Sequence, residues 1–141
     1  MKSPIYSNEN FYVVDICTQT ELFQIAFEVR NTIPKYIQLI CGDNHFHSVF
    51  ILFNTNTNEY LGAISLHLNK LLTLYLDGYF FYGEIIDMLK AIIKREKELL
   101  NIMYFRVDST QISPDLFSCF SEIGFRNSRS LPNILEYTNF R

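Results

Sequence analysis

Two imidazoles two residues apart, His45 and His47, would lie on the same side of an extended segment and could supply two metal ligands. No further Cys, His or Asp at ligand spacing completes a site around them, so no metal is expected. Cys41 or Cys119 could pair with His67 as nucleophile and base, but no local signature accompanies either cysteine. The 3 cysteines, Cys17, Cys41 and Cys119, are odd in number, widely spaced and without a Cys-x-x-Cys. That pattern argues against a disulfide framework or a zinc site, and for small buried hydrophobes in a reducing cytosol. Lys90, Lys94, Arg95 and Lys97 are interleaved with Glu96 and Glu98, which reads as a solvated helix face. Asp77 stands at the end of a strand-like run, before Gly78, and reads either as a turn aspartate or as a carboxylate with work to do. The aromatic run Tyr79, Phe80, Phe81 and Tyr82 reads as core or, if exposed, as an apolar patch suited to a fatty-acyl chain or a protein partner.

Composition bounds what these residues can serve. The chain has 141 residues, 48% of them apolar and 16% aromatic, with 13 Phe, 9 Tyr and no Trp. One domain over 1–141 is the natural size, and such aromatic richness excludes a disordered chain. The 15 acidic residues outnumber 12 basic ones, giving a formal net charge of −3, and no Lys/Arg cluster stands out. Nucleic acid is therefore not an expected partner. The first ten residues lack the apolar stretch of a secretory signal, and no apolar run approaches the ~20 residues of a membrane span. A cytoplasmic location is expected.

The elements that must position these groups follow from periodicity. Residues 11–15 alternate as a strand. Thr18–Thr20 offers caps for a helix in which Leu22, Ile25, Ala26 and Val29 share one face, and Pro34 breaks it. Residues 36–41 could add a short helical turn. Strands over 48–53, 59–68 and 71–76, joined by short polar connections, predict an antiparallel meander, with Gly62 marking a bulge or a close backbone approach. The longest helix is expected over 84–100, with Ile85, Ile86, Met88, Leu89, Ile92, Ile93 and Leu100 as its buried stripe. A strand over 103–107 follows, then a helix capped by Ser113, opened by Pro114 and closed by Gly124. A last strand covers 135–140. A rival local reading makes Asp77-Gly78 a type I′ hairpin turn, with 79–82 as a fourth meander strand. The order predicts an α/β (α+β) mixed sheet, mostly antiparallel, of about six or seven strands with helices on both faces.

Three segments within this order carry a resemblance. One is Ser113-Pro114-Asp115-Leu116-Phe117-Ser118-Cys119-Phe120-Ser121-Glu122-Ile123-Gly124-Phe125, a helix that closes with an aromatic residue, three further residues and Gly-Phe. A second is Ile25-Ala26-Phe27-Glu28-Val29-Arg30, a first helix ending in Arg, and the third is the hairpin of residues 48–66 with its Leu61-Gly62. In this order and at this spacing, across about 11–140, the chain resembles the GNAT superfamily of acyl-CoA-dependent N-acyltransferases.

The resemblance implies acetyl-CoA or another acyl-CoA as substrate and a small-molecule or peptide amine as acceptor. It implies a pyrophosphate held by backbone N–H groups at a helix N-terminus, ordinarily through an Arg/Gln-x-x-Gly-x-Gly/Ala loop. The matching stretch here, Gly78-Tyr79-Phe80-Phe81-Tyr82-Gly83-Glu84, has Gly83 near the expected place, no leading Arg or Gln, and a carboxylate at Glu84. Tyr82, Gly83 and Glu84, the strand end at Tyr75, Leu76 and Asp77, and Ser113 are the implied binding residues. Asp77 is the implied base for the amine's proton. The family's usual tyrosine acid falls at Phe120, which has no hydroxyl, and Tyr104 or a tyrosine of 79–82 would have to substitute. Ser113 stands closest to the usual Asn of that helix, and is equally an N-cap. The alternative is a catalytically degenerate GNAT-like binding module, for which a homodimer through exposed aromatics is one form.

Overall fold

The structure, a computed structural model, describes residues 2–138. Its contacts divide the chain into two compact units. One holds Met1–Leu68 and Leu74–Tyr79, and the other holds Asn69–Thr73 and Phe80–Arg141.

In the first unit, β1 (Tyr6–Ser7) pairs with β2 (Phe11–Ile16), β2 with β3 (Phe46–Asn54), and β3 with β4 (Tyr60–His67), all antiparallel. The second half of β5 (Leu71–Leu76) follows β4 in the order. Helix α1 (Gln19–Val29) begins where the Thr18 hydroxyl accepts from the Glu21 amide at 3.1 Å. It ends at Arg30, which adopts a left-handed conformation with φ 53°. Leu22, Ile25 and Val29 on α1 and Ile37 on α2 (Lys35–Ile40) join Val14, Ile16, Val49, Ile51 and Phe53 in one buried cluster. Period-3.6 and period-2 apolar spacings therefore meet on a common face, as hydrophobic burial requires.

In the second unit, β5 begins in parallel with β6 (Tyr104–Asp108), pairing Leu71 with Arg106 and Leu72 with Val107. β6 pairs antiparallel with β8 (Ile134–Thr138), and β8 with β7 (Arg126–Asn127). The crossover between the parallel strands is α3 (Tyr82–Leu100), whose buried stripe holds Ile85, Ile86, Met88, Leu89, Ile92 and Ile93. Helix α4 (Pro114–Ile123) is capped by Ser113 and ends at Gly124, whose φ of 126° no side-chain-bearing residue adopts readily.

Eight strands are thus formed among the described residues, six of them of five residues or more and two of only two. The two-residue strands β1 and β7 are too short to leave an alternating pattern, which is why the expected count was lower. The expected last strand over 135–140 is formed at Ile134–Thr138, and its positions 139–140 lie outside the described residues. The hairpin reading of Asp77-Gly78 is overturned. A type I′ turn needs positive φ at both central residues, and neither Asp77 nor Gly78 has it. Tyr82 instead opens α3, two residues ahead of the expected start.

Candidate functional site

The residues that the sequence singles out fall into two groups, one in each unit. In the first unit, the end of β5 is fixed by a bulge in β4. Phe53 faces Tyr60 and Leu52 faces Gly62, so Leu61 is an extra residue without a partner position in β3. Its carbonyl oxygen accepts from two successive amides, those of Asp77 and Gly78, each at 2.9 Å. A side chain at Gly62 would begin 2.7 Å from the Tyr75 carbonyl oxygen and 3.0 Å from the Leu76 Cα. Gly62 therefore serves both expected purposes, the irregular strand and the close approach of backbones.

This clamp leaves the Asp77 side chain exposed beyond the strand end. The Tyr36 hydroxyl, carried on α2, donates to Asp77 Oδ2 at 3.0 Å, and Asp77 makes no ion pair among the described residues. The rings of Tyr36 and Tyr75 stand 5.8 Å apart, tilted by 53°. Partial burial raises the Tyr36 phenol above its ordinary pKa, the Tyr60 hydroxyl works against that shift, and the Asp77 carboxylate adds to it. The Tyr60 hydroxyl is buried and makes no hydrogen bond of good geometry among the described residues. Burial pushes its pKa far up, and the neighbouring Tyr36 hydroxyl adds to the shift. Burial also pushes the Cys41 thiol up to about 11, the opposite of what a nucleophilic cysteine needs.

In the second unit, the amino end of α3 carries Tyr82, Gly83 and Glu84 in its first turn, after Phe81, whose side chain offers no cap. A Cβ added at Gly83 would meet nothing within 4 Å. The helix end is thus open to an approaching anion, with the positive end of the helix dipole behind it, while Glu84 sets a carboxylate in the same turn. A hydrogen bond to Glu122 on α4 pushes the Tyr82 phenol up to about 12. The Cys119 thiol points at the Tyr82 carbonyl oxygen, 3.9 Å away. Ser113 caps α4, its hydroxyl accepting from the Leu116 amide at 3.2 Å. Tyr104 lies at the start of β6, its pKa raised by partial burial and by a hydrogen bond to Glu136.

Four sequence-level readings change on this geometry. Tyr79, Phe81 and Tyr82 are 83%, 54% and 45% exposed and are not core. Phe120, in contrast, is fully buried, edge-on to Phe125 with ring centroids 4.8 Å apart. His45 is exposed and paired with Asp43, and no group of three His, Cys, Asp or Glu side chains able to hold a metal exists among the described residues. Tyr36 and Tyr60 escaped the sequence reading. The one local hint is the run Pro34-Lys35-Tyr36, which starts a short helix without saying what the tyrosine faces.

No protein-family model and no curated protein sequence matches the chain. Solved structures do. An acetyltransferase from Agrobacterium tumefaciens is 16% identical, with 100% of this chain and 96% of that one covered and a TM-score of 0.59. A ribosomal-protein-S5-alanine acetyltransferase from Vibrio fischeri is 12% identical over 95% of this chain and 96% of its own, at TM-score 0.63. An acetyltransferase of the GNAT family from Bacillus anthracis is 11% identical over 93% and 95%, at 0.51. Among the described residues, no helix is long and apolar enough to cross a membrane.

Proposed function

We propose that this chain, which has the fold of the GNAT acetyltransferases, transfers an acetyl or longer acyl group from an acyl-CoA to an amine. The observation that carries the reading is the way β5 runs on. Its parallel register with β6 covers Leu71 and Leu72, and the strand continues to Leu76 before the Leu61 carbonyl clamps Asp77. A strand end of this kind can present backbone to a pantetheine and a carboxylate to an amine. Tyr75 and Leu76 would line the thioester, and the first turn of α3, at Tyr82 and Gly83, would face the pyrophosphate with its amides. Glu84 opposes that phosphate, and Ser113 is taken up as a cap.

In the reaction, Asp77 takes one proton from the acceptor's ammonium. The freed amine nitrogen then attacks the thioester carbonyl, forming the C–N bond as the C–S bond breaks. The departing thiolate takes the second nitrogen proton. A thiol of pKa ~8.5 is a tolerable leaving group, so most of the rate would come from positioning. Tyr104 is the tyrosine to test as a proton donor, because Phe120 has none to give. A small-molecule or peptide amine in the cytoplasm completes the reading.

The test is calorimetric titration with acetyl-CoA and longer acyl-CoAs, followed by thiol release with an amine panel. Saturable binding and release that Asp77→Asn lowers by about 10²–10⁴ support the reading. No binding at millimolar acyl-CoA sinks it. A non-catalytic binding module is favoured by one observation, the burial of Phe120 where an acid would be wanted. Acyl-CoA binding without turnover on any amine would select that alternative.

A further inference from the structure

The carboxylate at the end of β5 has a setting that a turn aspartate does not need. One oxygen of Asp77 is held by the Tyr36 hydroxyl, and the residue has no cationic partner among the described residues. Two aromatic rings, Tyr36 and Tyr75, stand beside it 5.8 Å apart. Beneath them the Tyr60 hydroxyl is buried without a hydrogen bond of good geometry among the described residues, although the Tyr36 hydroxyl is its neighbour. Buried hydroxyls are ordinarily satisfied, by protein, by water or by a ligand. The group therefore combines one uncompensated negative charge, two π faces and a spare hydrogen-bonding group. That combination suits an organic cation that can donate hydrogen bonds.

We propose that Asp77, Tyr36, Tyr75 and Tyr60 form a recognition site for a primary alkylammonium group, with Tyr36 as the residue that orients the Asp77 carboxylate toward it. The inference rests on the acyl-transfer reading for the identity of the acceptor, but its chemistry stands on the first unit alone. The ammonium would donate to Asp77 Oδ1, the oxygen opposite the one Tyr36 holds. Its alkyl stem would lie against the Tyr36 and Tyr75 rings. A secondary polar group on the acceptor, or a water carried in with it, would satisfy Tyr60. Neutral alcohols of the same length would lack the charge and bind far less well. Quaternary ammonium ions would keep the cation–π contact and lose the hydrogen bond to the carboxylate.

The test needs no acyl-CoA. Backbone amide shifts of the wild-type chain are followed by NMR during titration with n-butylamine, n-butanol and tetramethylammonium at pH 7. The expected result is saturable shifts at residues 36, 60 and 75–77, with butylamine at least about tenfold tighter than butanol. Asp77→Asn should abolish that preference, and Tyr36→Phe should weaken butylamine by about threefold to tenfold while leaving the thermal midpoint unchanged. Equal binding of amine and alcohol overturns the proposal, as does a preference that survives Asp77→Asn, or the absence of saturation by butylamine. If acyl transfer is established, Tyr36→Phe should raise KM for the amine and leave kcat within about twofold, which separates positioning from chemistry. A chain that binds butylamine as described but never turns over acyl-CoA would retire the enzymatic reading and keep this one.

Discussion

The Gly62 Cα stands so close to the Tyr75 carbonyl that a methyl group there would begin 2.7 Å from the oxygen. Real Cβ atoms essentially never come that near a backbone atom, and the φ of Gly62, at 157°, is strained for any side chain as well. Gly62→Ala should therefore cost roughly 2–4 kcal/mol in urea unfolding. If the proposed site is correct, it should also lower acyl transfer in whatever fraction still folds, because the atoms it displaces belong to Tyr75 and Leu76. A neutral Gly62→Ala would show that the two strands can part without penalty.

Gly83 gives the opposite expectation. Nothing surrounds a Cβ there, so Gly83→Ala should leave stability unchanged or raise it by up to about 0.5–1 kcal/mol, the ordinary gain of Ala over Gly in a helix. The same substitution should weaken acyl-CoA severalfold if phosphate oxygens approach the α3 amides closely. Calorimetry on the pair distinguishes a glycine kept for the fold from one kept for a ligand. Unchanged acyl-CoA affinity would remove Gly83 from the site.

Restoring the missing tyrosine should not restore an acid. Phe120 is fully buried and edge-on to Phe125, so a hydroxyl added by Phe120→Tyr would be placed in the core. The expected result is a loss of about 1–3 kcal/mol in thermal or urea unfolding and no gain in turnover. A gain in rate would mean that this position reaches the reacting atoms.

His67 makes stability depend on pH. Its ring stacks on Phe46 at 4.3 Å, and burial holds its pKa below the ordinary 6.5, with the Asp43 charge only partly offsetting that. Between the folded and unfolded values the unfolded chain binds more protons, so stability falls as pH drops through 6.5 toward the folded value. Asp43, held below 3.8 chiefly by the His45 amide and ring, loses its contribution only at more acid pH, so the two windows are separate. Unfolding midpoints from pH 8 to 5 should slope in wild type and flatten in His67→Phe. Parallel curves would show that another group titrates.

The α3 stripe, the Ser113 and Gly124 caps of α4 and the three meander strands were legible because each is written in local spacing. What was illegible depends on register or on exposure. Tyr36 reaches Asp77 across 41 positions of chain, and only the folded pairing brings them together. The run from Tyr79 to Tyr82 has a core-like composition, and its exposure at Tyr79, Phe81 and Tyr82 follows from the clamp that ends β5 and from the early start of α3. Asp77 could be picked out as a carboxylate at a strand end, but the backbone clamp and the tyrosines that define its setting left no signature of their own.

The Leu61 carbonyl, accepting from both Asp77 and Gly78, has a consequence for how the proposed site would vary among relatives. The aim of the carboxylate is set by main-chain atoms of another strand, so Leu61 contributes to it with an oxygen every residue possesses. Selection acting on the direction of Asp77 would then be felt as intolerance of insertions and of bulk at positions 61 and 62, and hardly at all as a demand for a reactive side chain. A survey that weighed only acids, bases and nucleophiles would pass over both residues that point the carboxylate at its target.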